Sequence, residues 1–188
     1  MDKEKIKIAV SSIIEAMGED PDREGLADTP RRIADMYEEL FSGMDEDPSA
    51  VLNVGYEIGH RELIILKNIP FYSMCEHHFL PFFGVVHIGY IPDVEGRVVG
   101  ISKLARVVEI ISKRPQIQER MATDIANTIE KGLHAEGVGV VIEGEHMCMT
   151  MRGIKKPGSN VVTSALRGSL RKRPDSRAEF LSLIGKNI

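Results

Sequence analysis

No tryptophan occurs among the 188 residues, and there are only two cysteines, Cys75 and Cys148. So sparse a set excludes a disulfide-stapled scaffold. No stretch approaches the ~18 consecutive apolar residues that a membrane span needs. The opening MDKEKIKIAVSSIIEAMGED carries lysines ahead of apolar residues, but Ser11, Ser12 and Glu15 interrupt them and no small-residue cleavage pattern follows. No secretory signal is therefore expected. A basic excess is missing too: 24 Lys and Arg against 28 Asp and Glu leave a net charge of −4, which argues against a dedicated nucleic-acid or membrane partner. Internal repeats and low-complexity linkers are also absent. Together these absences predict a cytoplasmic protein.

What is present is a globular composition, 43% hydrophobic and 28% charged. A chain of this length buries roughly 70% of its unfolded surface, enough for a real core. Ile6, Val10, Ile13, Ile14 and Met17 recur at helical spacing and predict a first helix ending near Gly18. GEDPDREGLADT reads as a loop. Thr29 before Pro30 suits an N-cap with a first-turn proline, and Ile33, Met36, Tyr37, Leu40 and Phe41 mark one face of a second helix. Residues 1–50 are thus expected to be an N-terminal helical region and residues 51–188 the catalytic domain.

Beyond residue 50 the pattern changes to β-branched and aromatic runs near 62–72 and 83–91, bounded by Pro, Gly and Asp. Helical periodicity returns from Ser102 through Leu104, Val107, Val108 and Ile111. Arg114-Pro115 breaks it, and Ile117, Met121, Ile125 and Ile129 carry it on. After Gly137 the runs VGVVIEG, CMTMRGI and NVVTSALRG predict further strands, and a last helix follows Pro174. Antiparallel strands with a helical pair, preceded by helices, make an α+β domain.

Two short segments carry metal-ligand chemistry. SMCEHHF sets Cys75, His77 and His78 within four positions, and EHMCMTMR sets His146 and Cys148 two apart. Zinc takes thiolate and imidazole ligands, and a catalytic zinc keeps three protein ligands and an open position. Cys75 and His78 can close round one ion in a turn, with Cys148 as a third ligand from a distant strand. His77 and His146 are then left beside the metal, and imidazole is the side chain best suited to pass protons at neutral pH. Spacing alone leaves open which imidazole binds the ion. His60, His87 and His134 have no such company and read as structural.

Three segments in order, SMCEHHFLPFFGVVHIGYIP, GISKLARVVEI with RPQIQERM, and HMCMTMRGIKKPGSNVVTS, resemble the GTP cyclohydrolase I family. The resemblance runs from about residue 20 to the C-terminus. It implies Cys75, His78 and Cys148 as zinc ligands, and His77 and His146 as proton-transfer residues. Glu119 resembles the carboxylate that anchors the guanine edge, where it would accept a donor pair that adenine lacks. Gln118 resembles a second base contact. Ser102, Lys103 and Arg106, on the first turn of a helix whose N-terminal N–H groups attract anions, match phosphate or ribose-side contacts, as does Arg152. Arg32 matches an arginine that reaches a neighbouring subunit's site.

The resemblance further implies the tunnelling fold, a homodecamer with sites at subunit boundaries, and zinc as cofactor. The implied reaction hydrolyses GTP at guanine C8, releases formate, and recloses the rearranged ribose into 7,8-dihydroneopterin triphosphate, the first step of tetrahydrofolate and pterin biosynthesis. One segment departs from the pattern: LRKRPDSRAEFL is basic where many relatives carry an acidic pair before the proline. Two other readings compete. A tunnelling-fold oxidoreductase that attacks a deazapurine nitrile would need a single nucleophilic cysteine and no metal trio. A zinc-stabilised nucleic-acid module would use the basic stretch from Arg152 to Arg177, against the acidic overall balance.

Overall fold

The computed structural model describes residues 1–185, which divide into two units, residues 1–42 and residues 43 onward. In the first unit, α1 (Lys3–Ala16) packs on α2 (Thr29–Leu40). The Asp2 carboxylate caps α1 by accepting from the Lys5 N–H at 3.1 Å. The Lys3 ammonium joins the two helices, lying 2.6 Å from Asp35 and 3.0 Å from Glu38. Thr29 is already inside α2, with Asp28 at the cap position, because Pro30 fits the first turn where its missing N–H costs nothing.

The second unit is built on a five-stranded sheet whose strands lie in the order Pro115–Gln116 (β5), Ile64–Cys75 (β2), Pro81–Ile91 (β3), Gly137–His146 (β6) and Asn160–Arg167 (β7). Strands β2, β3, β6 and β7 are antiparallel neighbours. β1 (Gly55–Glu57) and β4 (Arg97–Val99) form a separate small ladder. The pair α3 (Ile101–Ser112) and α4 (Gln118–Leu133) covers one face of the sheet. Alternation in the strands sends Val86, Ile88 and Tyr90 of β3 and Val138, Val140 and Ile142 of β6 toward this pair. They meet Leu104, Val107 and Ile111 of α3 and Met121, Ile125 and Ile129 of α4. Full burial of each such side chain contributes about 1.5–3 kcal/mol. The result is the α+β architecture of an antiparallel sheet with paired helices.

On the other face, α6 (Gly168–Lys172) and α7 (Pro174–Leu183) add Leu170 and Phe180 to a smaller cluster with Val141. Phe180 is seated directly on the sheet at Gly89 and Gly139, where a Cβ would come within 2.7 Å of its ring. His87 also points to this face. It is 3% exposed, accepts from the Asn68 N–H at Nδ1 (3.4 Å), and lies 3.2 Å from the Glu143 carboxylate through Nε2. Its work is structural, at the bulge that interrupts the β2–β3 register between Leu66 and Ile69. No helix among the described residues is long and apolar enough to cross a membrane.

Two local expectations are corrected. CMTMRGI is not a strand: Met147–Thr150 form the single helical turn α5, followed by irregular chain. The ladder partners explain this, since β3 pairs Phe82 with His146 near its first residue and β7 pairs Asn160 with Glu145. Beyond His146 no neighbour remains, and the backbone turns onto itself, with the Met151 N–H donating to the Met147 carbonyl at 3.0 Å. The break at Arg114-Pro115 is also more than a gap between helices. Proline pushes its predecessor into extended geometry, and Pro115–Gln116 form β5, parallel to the end of β2.

Candidate metal centre and active site

The small strand β5 positions the chemistry. It pairs Met74 with Pro115 and Cys75 with Gln116, and the Gln116 carbonyl accepts from the Glu76 N–H at 3.0 Å. The chain then reverses within CEHHF: the Cys75 carbonyl accepts from the Phe79 N–H at 2.8 Å, and the Cys75 N–H donates to Leu80 at 2.9 Å. Phe79 takes a left-handed conformation, φ 48°, to close this turn. Glu76 forms an ion pair with Arg120 in the first turn of α4, and Arg120 also donates to the Pro115 carbonyl at 3.0 Å and to Gln116 Oε1 at 2.9 Å. The hydrogen bond from Arg120, helped by its charge, holds the Glu76 carboxyl below its usual range. Glu76 and Arg120 stand outside the thiol–imidazole set that marks the motif in sequence, yet they brace the turn that carries it.

The β2–β3 turn and the β6–α5 corner lie at the same end of the sheet, because β3 lies between them. One ligand atom each from Cys75, His78 and Cys148 falls within 4.8 Å of the others. Zinc bonds of about 2.0–2.3 Å set tetrahedral ligand atoms roughly 3.5 Å apart, so this cluster is close to the required spacing. Both cysteines are free. Burial raises the pKa of the Cys148 thiol, and the adjacent Cys75 raises it further. Two sulfurs and an imidazole at this spacing form a donor set that suits zinc, whose charge would favour the thiolate form of both cysteines.

Around the cluster, His77 is exposed with Nδ1 at 3.8 Å from Cys75 Sγ. Nη1 of Arg152 lies 3.4 Å from His78 Nε2. The His146 ring stacks on Phe82, centroids 4.7 Å apart and planes 7° from parallel, with Nε2 at 2.9 Å from Gln118 Oε1. Burial lowers the pKa of His146, and the charge of Glu119 opposes that shift. Glu119 itself is exposed on the first turn of α4. Gln118, expected as a base contact, is 1% exposed, and its carboxamide is used inside the fold.

Ser102, Lys103 and Arg106 are not brought to the cluster within one chain. Ser102 and Lys103 begin α3 and Arg106 lies at its middle; the opposite end is fastened beside Cys75 by the Ser73 hydroxyl donating to the Ser112 carbonyl at 2.7 Å. Ten residues of helix, about 15 Å, separate Ser102 from that anchor. The start of α3 belongs to the far end of the sheet, where the Tyr90 hydroxyl accepts from the Val99 N–H at 3.1 Å. Arg32 lies in the first turn of α2, 3.5 Å from the Asp28 carboxylate. A recess of about 650 Å³ lined by Asn53, Arg97, Arg114, Asp124, Lys131 and others includes none of the cluster residues.

Comparison with known proteins agrees with this chemistry. The family model for GTP cyclohydrolase I matches residues 6–185. GTP cyclohydrolase 1 of Dehalococcoides mccartyi (strain CBDB1) is 73% identical over 183 residues, 97% of this chain and 97% of its own. The enzyme of the same name from Thermoanaerobacter pseudethanolicus is 59% identical over 184 residues, 98% and 97% of the two chains. That of Streptococcus mutans serotype c is 53% identical over 186 residues, 99% and 96%. With its thiol–imidazole cluster and a match across nearly its whole length, the chain belongs to the GTP cyclohydrolase I family.

Proposed function

We propose that this chain carries out the reaction of its family, hydrolysis of GTP at guanine C8 with formate release and reclosure to 7,8-dihydroneopterin triphosphate, with zinc held by Cys75, His78 and Cys148. The convergence of these three donors from segments over seventy residues apart carries the reading. Bound there, zinc supplies Lewis acidity, which can lower the pKa of a water from 15.7 to about 7. His77, beside Cys75, passes a proton to the ring nitrogen that departs when the imidazole ring opens. His146 serves the later proton transfers at the ribose. Glu119, exposed on the first turn of α4, accepts the guanine N1–H and N2–H pair.

The triphosphate needs several donors, and Arg152 is the family phosphate contact on the cluster side. Ser102 and Lys103 lie a helix length away and Arg106 follows on the next turn, so an adjacent copy supplies all three, and Arg32 reaches a neighbouring site in the same manner. A site divided between copies accounts for a ring assembly, for which the family's homodecamer is the proposed form. The reducing cytoplasm keeps both thiols available to the metal.

The test uses purified, metal-analysed protein incubated with GTP, following formate and an oxidisable fluorescent pterin. Turnover should vanish on chelation and return with zinc. Full turnover by metal-free protein would overturn the proposal.

A further inference from the structure

Gln118 opens α4 and is 1% exposed, so both ends of its carboxamide must find partners inside the protein. Its nitrogen lies 3.1 Å from the Ile142 carbonyl, 2.9 Å from the Val161 carbonyl and 3.2 Å from Thr163 Oγ1. Carbonyls only accept. An amide turned the other way would set its oxygen against two acceptors, so the nitrogen faces β6 and β7 and the oxygen faces away from them. That oxygen is 2.9 Å from Nε2 of His146. Because the amide oxygen cannot donate, Nε2 carries the hydrogen, and the neutral ring keeps its lone pair on Nδ1. Phe82, stacked at 4.7 Å, holds the ring plane.

We propose that Gln118 is a positioning residue for the reaction: its amide oxygen, accepting from Nε2, and the Phe82 ring together fix the orientation of the His146 imidazole, so that its Nδ1 edge is the one left to face the substrate. The inference rests on the proton-transfer role of His146 given above. Gln118 therefore acts through His146, and recognition of the base falls to Glu119.

A double-mutant cycle on zinc-loaded protein tests this. Gln118→Met keeps the side-chain volume and removes the acceptor. It should lower kcat by at least about 10-fold, as loss of a correctly presented acid–base group does, with KM for GTP and zinc content unchanged. Introduced into His146→Ala, the same substitution should add less than about a 2-fold loss, because its target is gone. Gly144→Ala probes the contact with Gln118 in place, since the new Cβ would lie 2.7 Å from Oε1. It too should lower kcat and spare KM. A raised KM with kcat preserved, an equal loss in both backgrounds, or an unaffected kcat in Gly144→Ala overturns the inference and leaves the metal reading standing. Full turnover by His146→Ala overturns the assigned role of His146, and this inference with it.

Discussion

The Ser73 hydroxyl donates to the Ser112 carbonyl at 2.7 Å, a bond between α3 and the strand that carries Cys75. It fastens the C-terminal end of α3 next to the thiol cluster. Ser102, proposed as a phosphate or ribose-side contact at the start of that helix, is thereby held about 15 Å away.

The proposed division of the site between copies predicts complementation. Cys148→Ala and Lys103→Ala should each be nearly inactive alone. Co-assembled in equal amounts, they should recover activity in about a quarter of the sites, because random mixing in a ring pairs two intact halves that often. No recovery in verified mixed oligomers would mean that a single chain completes its own site.

Metal and turnover should be lost together in Cys148→Ala. Bound zinc, read by elemental analysis, should fall to background, and formate release should drop by about 10³-fold or more, since several kcal/mol of charge stabilisation disappear. Retained zinc with normal turnover would remove Cys148 from the ligand set.

His77→Ala separates a proton carrier from a ligand. Zinc content should stay at the wild-type level while kcat falls by about 10²–10⁴-fold. Loss of metal in parallel with activity would reassign His77 to the coordination sphere.

For Glu119→Ala the expected effect is on binding. A charge-assisted contact of about 1.5–3 kcal/mol corresponds to GTP affinity weakened roughly 10- to 150-fold. Calorimetry giving an unchanged Kd would strip the residue of its role at the guanine edge.

Gly139→Ala addresses stability alone. Its Cβ would fall 2.7 Å from the fully buried Phe180 ring. Overpacking of that kind costs about 1–3 kcal/mol, so thermal unfolding should shift down. An unchanged melting temperature would show that α7 can lift off the sheet at little cost.

Much of the fold was legible in local pattern. The periodicity of Leu104, Val107, Val108 and Ile111 marks the face of α3 that is buried, and the steps from Met121 to Ile129 do the same for α4. Strand runs at 62–72 and 83–91 correspond to β2 and β3 within a few residues. The misread segment CMTMRGI shows the limit of such pattern. Its residues tolerate a strand, but whether a strand forms depends on neighbours in the sheet, and those end at Phe82 and Asn160.

The site was legible as residue types and not as geometry. Thiols and imidazoles in CEHH and HMC announced metal chemistry from their spacing, and family membership followed from the same segments. Gln118 resembles a base contact in QERM, and nothing in the letters says that its amide also meets β6, β7 and His146.

Residue order and chemistry alone therefore determined the class of fold, the metal-binding vocabulary and the family, because these depend on periodicity and side-chain type. Only the tertiary structure decided that β5 would clamp the CEHH turn, that Cys148 would meet Cys75 across the end of β3, and that the start of α3 would be carried away from both. Those outcomes depend on strand register and on which end of a helix is tied down. Both are set by contacts between segments distant in the chain, which no local window contains.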